Sequence, residues 1–397
     1  MVAYLAFISV LVSFGIDTVL PAFDDITGTF GLEQGAGSVS LVITVYFLGI
    51  SAGQLIYGPL SDHFGRVPVL LASLVVYGIG ALGSTVAPSM TVLLVARTVW
   101  GLGAAGNIVI YTAMARDLYE GDTMARVMQF VLAAFLLGPM VSPAIGEALL
   151  LTGWWRSVFG AAVVLALAAT VWTLRIGETL APADRRPLDL GSIGRGFRAV
   201  MGRRDTVGYM VALTFSSGAF YVFLGSGEPI INNVFGQGRW FAAIFALMSA
   251  GTGLTLVGAA RVTPRLGARR VTWLAAVGYW ATGVAGAVMG AAAGGVPPLW
   301  AWILLTTISL SCMTVMTPTC ISLAVTPLGH LAGTASAVVG FVTQGGGALL
   351  AAVVDAQIDD SVTPMAVGAA CYGVVSILAV WWAGGQARSD TAPAVTC

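Results

Sequence analysis

The chain has 397 residues, of which 57% are hydrophobic and 9% are charged, and its 18 arginines balance its 18 acidic residues. Soluble domains carry about 25% charged residues, so this composition excludes a soluble globular enzyme, and the zero net charge excludes a broad surface for nucleic acid. The sequence contains no lysine, which excludes lysine Schiff-base chemistry and a phosphate-binding P-loop. Two histidines and four scattered cysteines are too few for a metal site. We expect neither a metal nor another cofactor.

Apolar runs of about 20 residues predict membrane-spanning helices, because a backbone in lipid must satisfy its own hydrogen bonds. Twelve such runs predict an all-α integral membrane protein with two pseudo-symmetric six-helix bundles. We expect an N-terminal bundle over 1–175, a basic cytoplasmic linker over 176–206, a C-terminal bundle over 207–384 and a cytoplasmic tail over 385–397. The first run lacks a basic leader and a small-residue cleavage site, which favours a retained span over a signal peptide. The predicted spans are 3–23, 38–60, 67–87, 90–114, 124–150, 155–175, 207–233, 239–260, 271–292, 298–325, 332–355 and 363–384.

The arginines predict the orientation of these spans, since cytoplasmic loops carry an excess of basic residues. With both termini in the cytoplasm, fifteen arginines lie on cytoplasmic loops, helix ends or the tail. Arg156 and Arg239 then lie outside, and Arg97 lies within a span. The lysine-free, Ala- and Gly-rich composition favours a GC-rich bacterial source. We therefore expect a multi-pass protein of the bacterial cytoplasmic (inner) membrane with both termini cytoplasmic.

The central linker carries an apolar helical pattern, in which Leu190, Ile193, Phe197 and Val200 recur at helical spacing among four arginines. This pattern favours an interfacial helix on anionic lipid. Four glycines in the same stretch favour a flexible basic linker almost as strongly. Both interpretations remain open at this point.

Similar residues recur at similar offsets in the two halves, which favours two related halves within one chain. Each pair joins a loop glycine or an intramembrane acid of the first half to its counterpart in the second. The pairs are Gly65 and Gly267 at an offset of 202, Glu147 and Asp355 at 208, and Asp17 and Glu228 at 211.

Several segments resemble motifs of one transporter family. Gly58–Arg66 resembles the loop signature of the major facilitator superfamily, Leu94–Ala105 its span-4 motif, and Gly138–Gly146 the span-5 motif of its antiporters. Asp17–Ala22 and Arg116–Tyr119 resemble the bicyclomycin and chloramphenicol resistance branch of its twelve-span drug/proton antiporters. Further matches are Trp155–Phe159, Glu178–Leu180 and Ala332–Ser336. The sequence departs from the family pattern at four positions. The family usually has basic residues where His63 and Val67 stand, Gln where Trp100 stands and Gly where Glu147 stands.

This resemblance implies the major facilitator fold and assigns roles to two groups of residues. Opposite charges at helix ends can hold one side of the transporter shut by ion pairing. A solvated loop is the alternative. The implied gating residues are Asp62, Gly65, Arg66, Arg116 and Asp117, and the implied antiporter-motif residues, which permit close helix packing, are Gly138, Pro139, Pro143 and Gly146.

Ionisable residues inside the membrane are costly and are therefore functional candidates. Asp17 and Arg97 lie in spans that the fold brings together, where the acid either exchanges a proton or forms a static ion pair with the arginine. Glu228 precedes a proline and either carries a second proton, binds a cationic drug, or lies at the membrane interface. We expect Asp355 at the solvated end of its span, and for Glu147 neither interpretation prevails. The proton-coupling candidates are Asp17, Arg97, Glu228 and Glu147.

Aromatic and amide side chains in the spans could line a substrate cavity, although each could equally serve helix packing. Small residues one turn apart below Arg97 would let a ligand or a helix approach. The cavity candidates are Tyr46, Trp100, Asn107, Tyr111, Tyr221 and Gln344.

Taken together, these features predict a proton-coupled efflux transporter that exports amphiphilic drugs or antibiotics by alternating access. The expected partners are a small-molecule substrate, protons and the lipid bilayer, and we expect a monomer driven by the proton gradient. An exporter of a single endogenous metabolite, an uptake symporter, and a non-transporting membrane sensor on a transporter scaffold are the alternatives. A sensor has no need of proton-titrating carboxylates.

Overall fold

The structure, a computed structural model, describes residues 1–32, 36–185, 187–188 and 191–384. Regular secondary structure in these ranges is entirely helical, as the sequence predicts. Short single-turn helices lie between some of the α-helices. The α-helices are α1 Val2–Asp17, α2 Phe23–Phe30, α3 Ala36–Phe64, α4 Arg66–Thr85, α5 Met90–Leu118, α6 Gly121–Leu150, α7 Ser157–Thr173, α8 Gly191–Met201, α9 Arg204–Pro229, α10 Phe241–Leu266, α11 Ala268–Ala292, α12 Leu299–Val325, α13 Ala332–Asp355 and α14 Thr363–Gly384.

The predicted membrane spans all fall on helices. Among the described residues, eleven helical segments are long and apolar enough to cross a membrane. The remaining span corresponds to α7, whose 17 apolar residues extend about 25 Å at the usual helical rise. The first span is interrupted: α1 ends at Asp17, and a 3-10 turn over Leu20–Ala22 leads into α2. Pro21 is the second residue of this turn, and it lacks the amide proton that a continuing α-helix would require there.

The helices pack in two sets that follow the order of the chain. In the first set, α1 packs on α6, α5 packs on both α3 and α4, and α4 packs on α7. In the second set, α9 packs on α12, α13 and α14, and α11 packs on α12 and α14. The two sets meet where α3 packs on α13 and α6 packs on α10.

Glycines let the helices of the first set approach closely. A methyl group at Gly101 of α5 would overlap the backbone oxygen of Tyr46 in α3, and one at Gly49 of α3 would overlap the backbone oxygen of Thr98. Membrane helices use small residues in this way because lipid provides no hydrophobic force to press the helices together.

The α3–α13 contact runs antiparallel along most of both helices. Ser51 in the middle of α3 donates a hydrogen bond of 2.8 Å to the backbone oxygen of Phe341. Farther from Arg66, Ser40 of α3 lies beside Asp355, the last residue of α13. We call these two ends of the molecule the Arg66 end and the Asp355 end.

The segment predicted as linker contains a helix, α8, which packs on α13. Phe197 contacts Phe341 edge to face with ring centroids 6.0 Å apart, and a methyl group at Gly196 would approach the Thr334 side chain closely. Val200 is fully buried. The helical interpretation is therefore confirmed, and protein covers part of the apolar face that we expected on lipid. Leu190 and the predicted tail over 385–397 lie outside the described residues.

Candidate functional site

Asp17 ends α1 and lies in the protein interior, where only 2% of its surface is exposed. Ser13, one turn earlier, donates a hydrogen bond of 2.8 Å to its Oδ2 atom. Gly138 of α6 makes room for this serine, since a methyl group there would overlap Ser13 Oγ. Asp17 is therefore an acid held by one neutral hydroxyl within the first set of helices.

The close packing expected from the Gly138–Gly146 motif is confirmed. Its two end glycines both face the first helical segment: Gly138 faces Ser13, and a methyl group at Gly146 would overlap the backbone oxygen of Thr18. Pro139 and Pro143 lie within α6.

Arg97 of α5 is completely buried and joins three helices. Its Nε donates to the backbone oxygen of Val42 at 3.1 Å, and its Nη1 donates to the backbone oxygen of Gly15 at 2.8 Å. Its guanidinium also lies 4.4 Å from the centre of the Tyr46 ring, a cation–π contact. Among the described residues no ion pair joins Arg97 to Asp17, so the static ion pair that we considered as an alternative is not formed. The guanidinium of Arg97 contacts backbone oxygens and aromatic rings instead of a carboxylate.

Glu228 of α9 is buried, with 4% of its surface exposed, and its Oε2 atom has no hydrogen-bond partner among the described residues. Asn232, one turn later, donates to Asp24 of α2 and so joins the two sets of helices beside it. The Glu228 side chain is therefore enclosed by protein, and its depth in the membrane stays a prediction. Unpaired buried polar atoms are rare in proteins, which marks Glu228 as a functional candidate.

Asp355 is also buried, with 1% of its surface exposed, and the expected solvated position is wrong. Ser226 of α9 donates a hydrogen bond of 2.5 Å to its Oδ1 atom, and the side chain of Ser40 from α3 lies beside the carboxylate. These two serines lie where the sequence alone could not place them. Asp359 and Asp360, a few residues later in the chain, are exposed to solvent.

Glu147 of α6 is half-buried and contacts the second set of helices. Its Oε1 atom accepts a hydrogen bond of 3.2 Å from the backbone N–H of Ala242, in the first turn of α10. The first N–H groups of a helix have no partner within the helix, so Glu147 satisfies one of them from outside. This contact joins the two sets at the Asp355 end.

Two cavity candidates face the interior of the first set instead of a cavity. Trp100 lies among aromatic rings, with centroids 5.4 Å from Tyr77 and 5.9 Å from Phe159. Asn107, two turns later on the same face of α5, accepts a hydrogen bond of 3.3 Å from Ser73 of α4. The cavity position expected for these two residues is not observed, because this face of α5 packs on α4.

The other cavity candidates lie nearer the junction of the two sets or are partly exposed. Tyr221 of α9 stacks on Phe47 of α3 with ring centroids 3.8 Å apart, so it lies between the sets. Tyr46 packs beneath Arg97 and is fully buried. Tyr111 and Gln344 are half-buried.

Three of the gating candidates, Asp62, Arg66 and Asp117, form an ion-paired cluster around Arg66. Its Nη1 atom lies 2.6 Å from Asp62 Oδ1, and its Nε atom lies 2.8 Å from Asp117 Oδ2. Glu178 accepts hydrogen bonds from the backbone N–H groups of Arg66 at 2.9 Å and Val67 at 3.3 Å, and so caps the start of α4. These partners all come from the first half of the chain. Because ion pairs and hydrogen bonds hold this loop, the alternative of a plain solvated loop is wrong.

Gly65 allows this cluster to form. Its φ of +101° is a conformation that other residues adopt only with strain, and a methyl group there would overlap the Glu178 carboxylate. Gly267 occupies the corresponding loop of the second half with a φ of +82° but faces open space. Arg116 is exposed. The sequence analysis assigned no role to Glu178, although the match of Glu178–Leu180 to a family motif could have identified this residue.

Comparison with known proteins shows which family the chain is similar to. The Major Facilitator Superfamily model matches residues 5–351. A bicyclomycin resistance protein homologue from Haemophilus influenzae is 27% identical over 388 residues, covering 95% of this chain and 94% of that protein. A chloramphenicol resistance protein from Pseudomonas aeruginosa is 31% identical over 165 residues, covering 41% and 39%. The multidrug resistance protein D of Escherichia coli is 29% identical over 166 residues, covering 42% and 41%.

Solved structures agree on the fold. A D-xylose–proton symporter superposes with a TM-score of 0.75 at 13% identity, covering 97% of this chain and 96% of that one. A bacterial homologue of the human lysosomal transporter Spinster superposes with a TM-score of 0.70 at 16% identity, covering 98% and 96%. The chain is a multi-pass membrane transporter and not an enzyme, and it belongs to the major facilitator superfamily.

Proposed function

We propose that this transporter is a proton-coupled exporter of amphiphilic drugs or antibiotics in the bacterial cytoplasmic membrane. It works as a monomer without a cofactor, and its Arg66 end faces the cytoplasm. One observation carries the proposal: Asp17 is a buried carboxylate whose hydrogen-bond partner is the neutral hydroxyl of Ser13 and which has no ion-pair partner among the described residues. Relatives named for resistance to bicyclomycin, chloramphenicol and multiple drugs support drugs as the substrate class.

The chemistry of Asp17 links proton movement to substrate movement. An isolated negative charge enclosed in a protein is very costly, so an enclosed Asp17 is neutralised by a proton or by a cationic substrate. When alternating access exposes the acid to water on one side, the proton can leave on that side. Binding of substrate and proton by the same acid in turn gives exchange.

The other candidates take supporting roles in this proposal. Arg97 orders α1 and α3 through the backbone oxygens of Gly15 and Val42 and provides a positive charge near Asp17. Glu228 is a second acid that a proton or a cationic group can neutralise. Tyr221, between the two sets of helices, contacts the substrate. The Arg66 cluster sets which side the cavity faces.

Reconstituted protein tests both the coupling and the direction. Purified transporter in lipid vesicles is given either a cationic amphiphilic drug or the neutral drug chloramphenicol under an imposed pH gradient, and drug and proton fluxes are recorded together. We expect drug to move against the direction of the protons and to stop when an ionophore removes the gradient. Movement of drug in the same direction as protons would identify an uptake symporter. No flux under any gradient would favour the sensor.

Growth under drug challenge separates a multidrug exporter from an exporter of one metabolite. A susceptible bacterial strain with and without the gene is exposed to a panel of amphiphilic antibiotics that includes chloramphenicol. We expect the gene to raise the inhibitory concentration of several chemically unrelated compounds. Protection against none of them, in cells that contain the folded protein, would contradict a multidrug function.

A further inference from the structure

A buried carboxylate joins the two halves of the transporter at the Asp355 end. Asp355 closes α13 and is 1% exposed. Its Oδ1 atom accepts a hydrogen bond of 2.5 Å from Ser226, which belongs to α9 in the same half. A second serine, Ser40, belongs to α3 in the opposite half and lies beside the carboxylate, where both side chains crowd Gly225. One side chain therefore contacts both halves.

The backbone is shaped to admit this contact. A methyl group at Gly225 of α9 would lie 2.8 Å from Asp355 Oδ2 and 2.8 Å from Ser40 Cβ. Both distances are shorter than side chains tolerate, so α3, α9 and α13 converge on this carboxylate only because position 225 is glycine.

Helix stability does not explain an acid at this position. The C-terminal end of a helix carries partial negative charge, which disfavours a carboxylate there, and burial disfavours the charge further. Asp359 and Asp360, a few residues later, are exposed, as acids near a membrane surface usually are. The buried position of Asp355 is therefore accounted for by its contacts between the halves.

Two other contacts join the halves at the same end through different helices. Glu147 of α6 accepts from the N–H of Ala242 at the start of α10, and Asn232 donates to Asp24 of α2. The α3–α13 pair meets again near its middle through Ser51 and the backbone oxygen of Phe341. Asp355 is thus the polar contact at the far end of the α3–α13 seam, where separation of the two helices would begin.

We propose that Asp355 is a positioning residue for alternating access: with Ser40 and Ser226 it forms a clasp that holds α3 against α13 and keeps the Asp355 end closed. Opening of that end separates Ser40 from the carboxylate, because Ser40 lies in the opposite half, and leaves the Ser226 bond intact. The proposal rests on the proposed function only in that the transporter alternates between two openings. It does not depend on the substrate or on proton coupling.

Hydrogen–deuterium exchange of the full-length protein in lipid nanodiscs, without substrate, tests the clasp. Ser40→Ala removes the hydroxyl that the opposite half places beside the carboxylate, Asp355→Ala removes the carboxylate itself, and Asp355→Asn keeps an acceptor oxygen. We expect about two- to tenfold faster exchange at the Asp355 end of α3 and α13 in the first two variants, because each lost polar contact makes opening less costly. Asp355→Asn should restore part of the protection.

The matched control is Asp359→Ala, which removes an exposed acid at the same end. Exchange around Arg66 reports on the opposite end and should not become faster. If Ser40→Ala and Asp355→Ala exchange like Asp359→Ala, no clasp exists. If both ends of the molecule become faster together, Asp355 merely stabilises the fold. Loss of proton coupling would change neither result, so the two proposals fail separately.

Discussion

Asp17 and Ser13 share one hydrogen bond at the end of α1, and this bond makes Asp17→Asn an informative change. The amide has the same shape as the acid and can still accept from Ser13, but it cannot release a proton. We expect gradient-driven drug transport to be lost while the protein folds normally. Drug flux in vesicles, together with the thermal unfolding midpoint, measures both effects.

Asp359→Asn serves as the control for this change, because it neutralises an exposed acid far from α1 in the chain. It should leave drug flux intact. If Asp17→Asn retains the full gradient-driven flux, the coupling proton is carried elsewhere, and Glu228 becomes the first candidate.

Glu228 should govern the charge of the accepted substrates. Its Oε2 atom is buried without a partner among the described residues, so a proton or a cationic group of the substrate must neutralise it. Glu228→Gln removes the charge and keeps the shape, and we expect it to weaken transport of cationic drugs more than transport of neutral ones. The ratio of the two fluxes, relative to the unchanged protein, is the measurement. Equal losses for both drugs would show that Glu228 does not select for charge.

The sequence identified the ionisable residues inside the membrane spans, but it did not predict what surrounds them. Charged residues in apolar runs are conspicuous, so Asp17, Arg97 and Glu228 could be identified directly. Their partners are mostly backbone oxygens and serines on other helices, which leave no pattern in the sequence. Asp355 was expected in solvent for this reason, since nothing in the sequence indicates that Ser40 and Ser226 would meet it.

At the scale of helices, the two corresponding loops allow a paired test of glycine. Gly65→Ala and Gly267→Ala both place a side chain at positive φ, which costs about 1–3 kcal/mol. At Gly65 the new methyl group also overlaps the Glu178 carboxylate, whereas at Gly267 it meets open space. We expect Gly65→Ala to lower the thermal unfolding midpoint clearly more than Gly267→Ala does. Equal shifts would mean that Glu178 moves aside freely and does not fix the start of α4.

The faces of individual helices were harder to predict than their positions. Span positions follow from the bilayer, which requires long apolar runs whatever their neighbours. A helix that is apolar on all sides gives no periodic signal for which side meets lipid, protein or a cavity. Trp100 and Asn107 were therefore assigned to a cavity. In the structure, small residues of α4 allow that face of α5 to pack closely on α4.

For the whole molecule, the two-half architecture was predictable because the halves repeat their landmarks. Gly65 and Gly267 illustrate this, since both adopt positive φ at the start of a span. The contacts around these glycines are not repeated: Arg66 has two acidic partners and Glu178 beside it, while a methyl group at Gly267 would meet nothing within 4 Å. The asymmetry between the two halves thus comes from single residues, which pattern analysis does not resolve.

This asymmetry predicts how the Arg66 cluster affects transport. Arg66→Ala removes two ion pairs and leaves Asp117 without its partner, which loosens the ends of α3, α4 and α5. The cluster lies at the other end of the molecule from Asp355 and makes no contact with Asp17 among the described residues. It can therefore change which way the cavity faces without changing the contacts of a bound drug. We expect turnover to fall about 5- to 30-fold, the effect of 1–2 kcal/mol, while drug affinity stays nearly constant.

Arg116→Ala is the matched comparison. The family resemblance also implies a gating role for Arg116, but the structure shows it as an exposed arginine at the same end without an ion-pair partner among the described residues, so we expect no such role. It should change neither turnover nor affinity. Binding is measured by titration of the purified protein with a transported drug, and turnover by flux in vesicles that contain the same amount of protein. If Arg66→Ala abolishes binding but each bound drug is still transported at the normal rate, the cluster shapes the binding site. If Arg116→Ala is equally defective, positive charge at this end matters and the ion pairs of Arg66 do not.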